Sequence, residues 1–499
     1  VAPEYGTLED FRRLLEDAHR RNIRVILDLV LNHTSDQHPW FQESRSRCDH
    51  PKRDWYIWRD GKDGGPPNNW YSAFGGSAWE YDPQTGQYYY HFFFKEQPDL
   101  NWRNPAVKRA MFDVVRFWLD MGVDGFRLDA VGTIFEDPAL PDQTAPMSYP
   151  EWLKAWNAAT DEAERERLWR IRQEMFRYQE DLPEVHDLMR ELRALVNAYG
   201  DVVLVGETED LAYYGNGEDE LHLVFNFPLM KAPRLTPAVV RANQRERLAG
   251  LPPGAWPCNT MGNHDVSRVL SRYGDGRHDR EIARIAAALM LTLWGTPFLY
   301  YGEEIGMRDL ILTDLSLFKD PLGRWWYTVE RELFGTPHEE AVIRGAQFGR
   351  DKCRTPMQWS RAPNAGFCPP GVAPWLPVHP NYQEGVNVAD QLEEPDSLLA
   401  FYRRLIRLRQ RTPALLAGEY VPLAEDSEEA LIFLRRLRED GSACLVAMNM
   451  SEGPAHVRLD LPTWGRCLFS THRKEGAEEA LRELRLAPFE ITLMELLRR

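Results

Sequence analysis

The stretch Arg24-Val25-Ile26-Leu27-Asp28-Leu29-Val30-Leu31 is a short apolar run that ends abruptly in the polar residues Asn32-His33-Thr34-Ser35-Asp36. A continuous apolar run of this length predicts a strand that is buried on both faces, as in a parallel sheet. Thr7 stands before a segment with helical apolar spacing, so it is predicted to cap a helix that leads into this strand. The sequence here therefore indicates a helix, then a buried parallel strand with polar residues at its carboxyl end.

The same alternation of helix and strand recurs along the chain. Further apolar strands are predicted at residues 125–130, 202–206, 221–227, 258–261 and 297–301. Predicted helices at residues 105–121, 184–199 and 280–293 each precede one of these strands. Strands that alternate with helices predict a parallel sheet. The fold class is therefore α/β, and six such strands fit a (β/α)8 TIM barrel whose first two strands are missing from this sequence.

Three segments depart from this alternation. Residues 34–100 are rich in Trp, Tyr, Gly and Pro and contain a hairpin-like turn at 81–86, which predicts a small inserted domain after barrel strand 3. Residues 133 to about 183 are predicted to be mostly helical, and apolar runs after residue 418 predict a C-terminal antiparallel β domain. The expected division is a catalytic barrel at 1–33 and 101–417, an inserted B domain at 34–100, and a C-terminal β domain at 418–499.

Composition excludes several classes of function. The formal net charge of −16 disfavours binding to nucleic acid or to an anionic membrane, and no apolar run is long enough to span a bilayer. The six cysteines are scattered and form no CxxC pair, which is typical of reduced thiols in a cytoplasmic enzyme. We therefore expect a cytoplasmic protein whose partner is a small-molecule substrate. The sequence does not indicate an oligomeric state.

Polar side chains follow several of the predicted strands at their carboxyl ends: His33 after the first, Arg127 and Asp129 in the second, Glu207 after the third, and His264 and Asp265 after the fifth. In a barrel these strand ends meet at one mouth, where the active site lies. A strand-end Asp often only caps the next helix, and a loop His is usually not catalytic. The prediction of an active site rests on the occurrence of the whole set at successive strand ends.

Clustered carboxylates suit the cleavage of a glycosidic bond, in which one carboxylate attacks the anomeric carbon and a carboxylic acid protonates the leaving oxygen. Arg127 and Asp129 lie on the same face of their strand, because side chains alternate with period two. Arg127 is thus expected to keep Asp129 charged. A metal site formed by His33, His264 and the carboxylates is the competing interpretation, but the sequence has no HxH or HExxH motif, so we expect no metal ligands.

Taken together, these motifs resemble the α-amylase superfamily of glycoside hydrolases, family 13. Residues 28–33 resemble its DxxxNH region, residues 125–129 resemble the region of the nucleophile, and residues 263–265 resemble its NHD region. The resemblance implies that Asp129 is the nucleophile, that Glu207 is the acid/base, and that Asp265 stabilises the transition state. It covers nearly the whole chain except its beginning.

Further motifs are similar to the oligo-1,6-glucosidase and α-glucosidase subfamily, which also includes trehalose synthases and sucrose isomerases: residues 97–101 (QPDLN), 302–307 (GEEIGM) and 354–359 (RTPMQW). By the same resemblance, His33, Arg127, His264 and Arg354 bind the glucose unit of the substrate. The residue after the nucleophile is Ala130. In this subfamily a small residue there tends to go with α-1,4 bonds and a Val with α-1,6 bonds, which implies a preference for maltose-like substrates.

Relatives in this subfamily have about two more strands upstream, and often a loop there that binds calcium or magnesium. We therefore expect that no cofactor is required for catalysis, and that any structural calcium or magnesium ion would belong to the missing N-terminal part. We interpret this beginning as a truncation, because the absence of two central strands would leave unpaired edges.

Four functions remain open at this point. The first is a retaining α-glucosidase that releases glucose from the non-reducing end by double displacement. The second is a glucosyltransferase or isomerase of the trehalose synthase or sucrose isomerase type, because a sugar hydroxyl in place of water can attack the glucosyl-enzyme. The third is a non-catalytic scaffold relative, which the three carboxylates disfavour. The fourth is an endo-acting α-amylase, which more often has MPDLN where this chain has Gln97 to Asn101.

Overall fold

The computed structural model describes residues 1–459, 461 and 463–497, and these residues form two compact units. The first unit contains Val1–Val224 and Pro252–Ala255, and the second contains Phe225–Leu251 and Trp256–Arg499, apart from the positions outside the described residues. Among the helices of the described chain, none has the length and apolar character needed to cross a membrane.

The first unit alternates helices and strands. Its strands are β1 (Ile26–Val30), β2 (Trp58–Arg59), β3 (Trp79–Asp82), β4 (Gln87–Tyr90), β5 (Gly125–Asp129), β6 (Val203–Gly206) and β7 (Leu223–Val224). Its α-helices are α1 (Leu8–Arg20), α2 (Pro39–Ser46), α3 (Pro105–Asp120), α4 (Tyr149–Ala158), α5 (Glu162–Phe176) and α6 (Glu184–Asn197). Short 3-10 helices lie at Pro3–Tyr5, Arg53–Trp55, Val131–Thr133 and Leu211–Tyr214.

The sheet that carries the functional residues has the strand order β1-β5-β6-β7, and its neighbouring strands run parallel, as the sequence predicted. The prediction that the first strand is buried on both faces was wrong. Asp28 and Val30 of β1 are exposed, because β1 is the edge strand of this sheet and pairs only with β5 among the described strands. At Gly125 the strands approach closely, since a Cβ atom there would overlap the carbonyl oxygen of Val203.

Helix α1 begins where the sequence predicted. The Thr7 side chain accepts a hydrogen bond from the Asp10 N–H, and the Asp10 carboxylate accepts one from the Thr7 N–H. This reciprocal capping satisfies two backbone donors that the first turn of a helix leaves without intrahelical partners.

The segment between β1 and α3 contains an antiparallel sheet of order β2-β4-β3, and residues 83–86 form the predicted hairpin turn between β3 and β4. Trp58, Trp70 and Trp79 of this segment are buried. Their indole N–H groups donate to internal oxygen atoms of Ser44, Pro141 and Asn68, respectively. These rings therefore serve the core of the segment and do not form a sugar-binding surface.

The second unit also begins with helices and a pair of parallel strands. Its strands are β8 (Cys258–Thr260), β9 (Thr296–Phe298), β10 (Glu419–Leu423), β11 (Ala430–Arg436), β12 (Ala443–Asn449), β13 (Ala455–Arg458), β14 (Trp464–Ser470), β15 (Glu478–Ala480), β16 (Glu483–Leu486) and β17 (Ile491–Leu497). Its α-helices are α7 (Phe227–Met230), α8 (Pro237–Ala249), α9 (Val269–Tyr273), α10 (Asp279–Thr292), α11 (Pro321–Glu332), α12 (His338–Phe348), α13 (Val388–Glu393), α14 (Leu398–Arg411) and α15 (Pro413–Ala417). Its 3-10 helices are Glu303–Ile305, Leu315–Leu317, Asp351–Cys353, Pro363–Gly366 and Pro380–Glu384.

Strands β8 and β9 pair in parallel, and α10 precedes β9 as predicted. The predicted antiparallel strands near the carboxyl end are present as β11, β12 and β17, in a sheet of order β10-β11-β12-β17-β14-β15. Positions 460, 462, 498 and 499 of the expected C-terminal domain lie outside the described residues. One face of the sheet packs on α10 and α14 through Phe433, Val446, Leu493, Leu289 and Leu405.

Two arginines stabilise the carboxyl end of α10. Arg435, which is fully buried, donates to the carbonyl oxygens of Thr292 and Leu293 at 2.7 and 2.9 Å. Arg409 donates to the Leu291 carbonyl at 2.8 Å. Positive charge at a helix carboxyl end complements the partial negative charge of its unpaired carbonyl groups. These contacts fix the end of α10 just before β9.

Candidate active site

Neighbouring strands of the first unit bring Asp28, Arg127 and Asp129 to adjacent positions. In the register of β1 and β5, Asp28 pairs with Arg127 and Val30 with Asp129. Strand β6 ends at Gly206, and Glu207 follows it directly, with its N–H donating to the Leu128 carbonyl at 2.9 Å. Because the strands are parallel and in register, their functional side chains lie close together near the carboxyl ends of the strands.

The Arg127 guanidinium contacts three carboxylates. Its Nη1 atom lies 2.6 Å from Oδ1 of Asp129 and 2.8 Å from both oxygens of Asp28, and its Nη2 atom lies 2.8 Å from Oε2 of Glu207. Burial opposes the charged form of Arg127, but the three carboxylates together raise its pKa above the ordinary value. Arg127 thus remains protonated and links the proposed nucleophile to the proposed acid/base.

Glu207 has a second donor in addition to Arg127. The backbone N–H of Ala130 donates to Oε2 of Glu207 at 3.0 Å. Ala130 has the left-handed backbone conformation, with φ 42° and ψ 52°. The chain therefore turns sharply after Asp129, and this turn points a backbone donor at the neighbouring carboxylate.

His33 lies at the carboxyl end of β1 and is held by the QPDLN segment. Its Nε2 atom lies 2.9 Å from the Gln97 amide nitrogen, and its Nδ1 atom lies 3.4 Å from the Asn32 amide nitrogen. Burial lowers the pKa of His33, against the opposing effect of the Asp129 charge. Buried Asp99 accepts hydrogen bonds from the Asn32 amide at 3.0 Å and from the Phe92 N–H at 2.9 Å. His33 is thus a neutral, positioned imidazole near Asp129.

The second unit contains the other predicted site residues. Oδ1 of Asp265 lies 2.8 Å from Nη2 of Arg354, and its Oδ2 lies 3.4 Å from Nε2 of His264. Arg354 also donates from Nε to the His264 carbonyl at 2.8 Å. The Asn263 side chain accepts the Asp265 N–H at 2.8 Å, which fixes the turn of the NHD segment. Asp265 is thus held by both its neighbours in sequence and the RTPMQW arginine.

Arg350, which the sequence motifs did not identify, also contacts Asp265. Its Nη1 atom lies 3.2 Å from Oδ1 of Asp265, while its Nε and Nη2 atoms bind the two oxygens of buried Asp320 at 2.9 and 2.8 Å. Although burial opposes ionisation, the hydrogen bonds and charge of Arg350 lower the pKa of Asp320. The one sequence feature that could have drawn attention to Arg350 is its partner Asp320, the N-cap of α11. Asp320 lies 30 positions from Arg350 in the sequence.

The buried carboxyl group of Glu303 packs against Gly262, the residue that precedes the NHD segment. A Cβ atom at Gly262 would overlap Oε1 of Glu303, so only glycine permits this close approach. Burial raises the pKa of Glu303 to about 7, against the charges of Arg272 and Arg268. Glu303 belongs to the GEEIGM motif. Sequence analysis linked this motif to a subfamily but predicted no structural role for it.

The described residues contain one group of side chains close enough to share a metal ion, formed by Asp275, His278 and Glu452. The Asp275 carboxylate already accepts the backbone N–H groups of Arg277 and His278 at 2.8 and 2.6 Å and lies 2.9 Å from Nδ1 of His278. These contacts stabilise the turn that immediately precedes α10. The predicted site residues of the two units do not belong to this group.

Comparison with known proteins confirms the resemblance inferred from the motifs. The model of the α-amylase catalytic domain matches residues 1–418. An oligo-1,6-glucosidase of Parageobacillus thermoglucosidasius is 37% identical, over 98% of this chain and 86% of that protein. A probable α-glucosidase of Rhizobium meliloti is 40% identical, over 92% of this chain and 79% of that protein.

A solved structure agrees with the sequence matches. The crystal structure of isomaltulose synthase from Erwinia rhapontici superposes with a TM-score of 0.85 and is 34% identical, covering 99% of this chain and 87% of that one. Both the family model and these relatives therefore extend over most of the chain. The chain belongs to the α-amylase family of glycoside hydrolases, family 13.

Proposed function

We propose that this chain is a retaining α-glucosidase that releases glucose from the non-reducing end of short α-1,4-linked glucosides such as maltose. The observation that carries the proposal is the contact of one guanidinium, that of Arg127, with both Asp129 and Glu207. Retaining glycosidases require two carboxyl groups about 5–5.5 Å apart, and two carboxylates that share one guanidinium are close neighbours. The named activities of the relatives, oligo-1,6-glucosidase and α-glucosidase, support the same reaction class.

In the first step, the Asp129 carboxylate attacks C1 of the terminal glucose while Glu207 gives its proton to the glycosidic oxygen. The C1–O bond breaks with its electron pair on the leaving oxygen, and an ester forms between Asp129 and C1. The Arg127 guanidinium, with Nη1 2.6 Å from Oδ1 of Asp129, orients the carboxylate for this attack.

In the second step, water hydrolyses the glucosyl ester, and Glu207 acts as the base. Ester formation removes the negative charge of Asp129, so the Arg127 guanidinium is left with Asp28 and Glu207 as its anionic partners. Glu207, which lost its proton in the first step, accepts a proton from water as the water oxygen bonds to C1 and the ester bond to Asp129 breaks.

In the same proposal, residues of the second unit stabilise the charge of the transition state and orient the substrate. Asp265, held by Arg354 and Arg350, would bind substrate hydroxyl groups and stabilise the cationic transition state. His264 and Arg354 would bind the glucose unit, together with His33 and Arg127. Partly buried His33, whose pKa is lowered by desolvation, would contact the sugar without adding positive charge beside the developing cation.

A second candidate function is glucosyl transfer or isomerisation on the same residues. The likeness to isomaltulose synthase, at a TM-score of 0.85, favours this candidate. The two functions differ in whether water or a sugar hydroxyl attacks the glucosyl ester, and therefore in how the acceptor is held. They share the roles of Asp129 and Glu207.

We also propose that the parallel strands β1 and β5–β9 are strands of a (β/α)8 barrel with an inserted domain after barrel strand 3. The alternation of helices and parallel strands supports this fold, as does the family match. In this proposal, residues 1–33 and 101–417 form the catalytic domain, residues 34–100 the inserted B domain, and residues 418–499 the C-terminal β domain.

The test is to incubate the protein with maltose and to follow the products by proton NMR from the first minutes. Cleavage also releases the reducing glucose of maltose, which carries the anomer mixture that maltose itself has. Early α-glucose in excess of that mixture, which then mutarotates, supports a retaining hydrolase, and early β-glucose in excess of it would contradict the proposal. Trehalose or re-linked oligosaccharides as main products would assign the second candidate function.

A further inference from the structure

A cavity of about 330 Å³ lies within the second unit, where α9 and α10 meet the turns that follow β12 and β16. We propose that this cavity binds a single pyranose sugar, glucose. Among the described residues that line it, none belongs to the predicted active site. The choice of glucose rests on the proposed function, in which each turnover releases this sugar.

The size and the walls of the cavity suit one sugar ring. Sites that bury small molecules usually measure about 300–1,000 Å³, and this cavity lies at the lower end of that range. Ile282 and Ile285 of α10 give it an apolar wall. Tyr273 and Phe489 add aromatic rings, on which the apolar face of a sugar can pack.

Polar residues of both charges line the cavity: Asp275, Glu452, Arg234 and Arg272. The two arginines oppose the binding of a cation, and the two carboxylates oppose the binding of an anion. A sugar hydroxyl both donates and accepts hydrogen bonds, so it can satisfy either kind of side chain. The lining therefore favours a neutral, polyhydroxylated ligand.

The two carboxylates are available as hydrogen-bond acceptors. The backbone N–H groups of Arg277 and His278 hold Asp275 in place at 2.8 and 2.6 Å. Oε1 of Glu452 lies 3.6 Å from Nδ1 of His278, and its Oε2 lies 3.8 Å from Nη1 of Arg277. Both distances are too long for hydrogen bonds. Neither contact therefore has to break when Glu452 accepts a hydroxyl group.

Phe489 is held in an unusual conformation at the wall of the cavity. Its φ of 52° lies in the left-handed region, where a bulky residue is an outlier that persists only if its surroundings enforce it, often at ligand-binding positions. Its N–H donates to the Ser451 carbonyl at 3.2 Å, and its ring centroid lies 5.1 Å from that of His278. The amide of buried Asn449 bridges the two turns through hydrogen bonds of 2.7 and 2.8 Å to carbonyl oxygens. This wall is thus formed before a ligand arrives.

Met450 lines the cavity and provides a probe at the proposed site. The Asp129→Asn protein, with isotopically labelled methionine methyl groups, is titrated with D-glucose and followed by NMR, and Met450→Leu assigns the signal. We expect a saturable shift of the Met450 methyl signal, with a dissociation constant on the order of 1–10 mM for a ligand of this size. L-Glucose, the mirror image, should leave the signal in place. A Met450 signal that does not saturate with D-glucose, or that shifts equally with L-glucose, would overturn the inference.

Glu452→Gln tests the carboxylate with little change in side-chain size. We expect it to raise the dissociation constant about five- to tenfold, because hydrogen bonds to a charged acceptor are stronger than those to a neutral one. Glu475→Gln is the matched control, since the Glu475 side chain is 59% exposed, against 60% for Glu452, and pairs with Arg404. An unchanged constant in Glu452→Gln, or an equal rise in the control, would overturn the inference.

Failure of this inference is distinguishable from failure of the proposed function. The titration requires no turnover, and Met357 of the RTPMQW segment reports on the predicted active site in the same spectra. A shift of Met357 without one of Met450 would place glucose at the active site alone and overturn the inference, while the proposed function stands.

A metal ion is the competing occupant, because Asp275, His278 and Glu452 are close enough to share one. The titration is therefore repeated with zinc chloride in place of the sugar. A Met450 signal that responds to zinc and not to D-glucose would assign the carboxylates to a cation and overturn the inference. A response to D-glucose in protein treated with a chelator supports the sugar site.

Discussion

Nη1 of Arg127 lies 2.8 Å from both oxygens of Asp28, a residue that belongs to the DxxxNH motif but has no assigned part in the reaction. The same nitrogen lies 2.6 Å from Asp129. Asp28 and Asp129 therefore share Nη1 of the guanidinium, while Glu207 contacts Nη2. The position of the nucleophile relative to the acid/base thus depends on a third carboxylate at the edge strand.

Replacement of Asp28 tests this dependence. We expect Asp28→Asn to lower kcat/KM for an aryl α-glucoside about tenfold, equivalent to about 1.4 kcal/mol of transition-state stabilisation, because Arg127 loses an anionic anchor. Asp17→Asn is the matched control, since Asp17 pairs with Arg20 on the exposed face of α1. A rate for Asp28→Asn equal to that of the control would show that Asp28 does not position Arg127.

Glu303 predicts a pH dependence of stability in the second unit. Its pKa is raised by burial from 4.5 to about 7, so the folded state binds the proton more tightly than the unfolded state between these pH values. The contribution of Glu303 is therefore most favourable below about pH 4.5 and is lost as the pH rises through 7. We expect this group to reduce stability by about 1–3 kcal/mol between pH 5 and 8.

The Glu303→Gln variant isolates that contribution. Gln resembles the neutral acid, so the thermal midpoint of the variant should match that of the wild type at pH 5 and exceed it at pH 8. Glu304→Gln, at the less buried neighbouring position, provides the control and should not show this pattern. Parallel curves for Glu303→Gln and the wild type from pH 5 to 8 would contradict the assignment.

Arg350 contacts buried Asp320, which we expect to matter for stability, and Asp265, which we expect to matter for activity. Substitutions can separate these two effects. Arg350→Met leaves the Asp320 carboxylate buried and unpaired, so we expect a loss of stability of about 3–5 kcal/mol. The double variant Arg350→Met/Asp320→Asn removes the buried charge and should recover most of that loss in calorimetry. Its kcat/KM should stay about tenfold low, because Asp265 still lacks the Arg350 contact. Recovery of activity together with stability would show that Arg350 does not act through Asp265.

The linkage preference implied by Ala130 is tested with two disaccharides. We expect the wild type to have a higher kcat/KM for maltose than for isomaltose, and Ala130→Val to lower that ratio. Both substrates have sugar leaving groups, so a general loss of acid catalysis cancels in the ratio. A maltose preference that is unchanged in Ala130→Val would contradict the hypothesis.

The sequence predicted the elements that carry the site because local patterns determine them. The apolar runs gave the parallel strands, and the two-residue period of a strand put Arg127 beside Asp129. Arg350 and Glu303 were missed, because their roles arise from contacts across 85 and about 40 positions of sequence, with Asp265 and Gly262. No periodicity encodes such contacts.

The exposure of Asp28 and Val30 shows a second limit of sequence patterns. An apolar run indicates a strand but not its place in the sheet, and the edge position of β1 leaves part of it uncovered. The cytoplasmic location, the absence of a required cofactor and the location of any structural ion stay predictions, because no contact among the described residues bears on them.

The identity of the nucleophile is tested most directly by trapping the glucosyl-enzyme. A fluorinated α-glucosyl fluoride, whose ester hydrolyses slowly, is incubated with the protein, and the labelled peptide is located by mass spectrometry, with Asp129→Asn as the unlabelled control. We expect a single sugar ester on Asp129. An ester on Glu207 or Asp265, or labelling of Asp129→Asn at the wild-type rate, would contradict the assignment of Asp129 as the nucleophile.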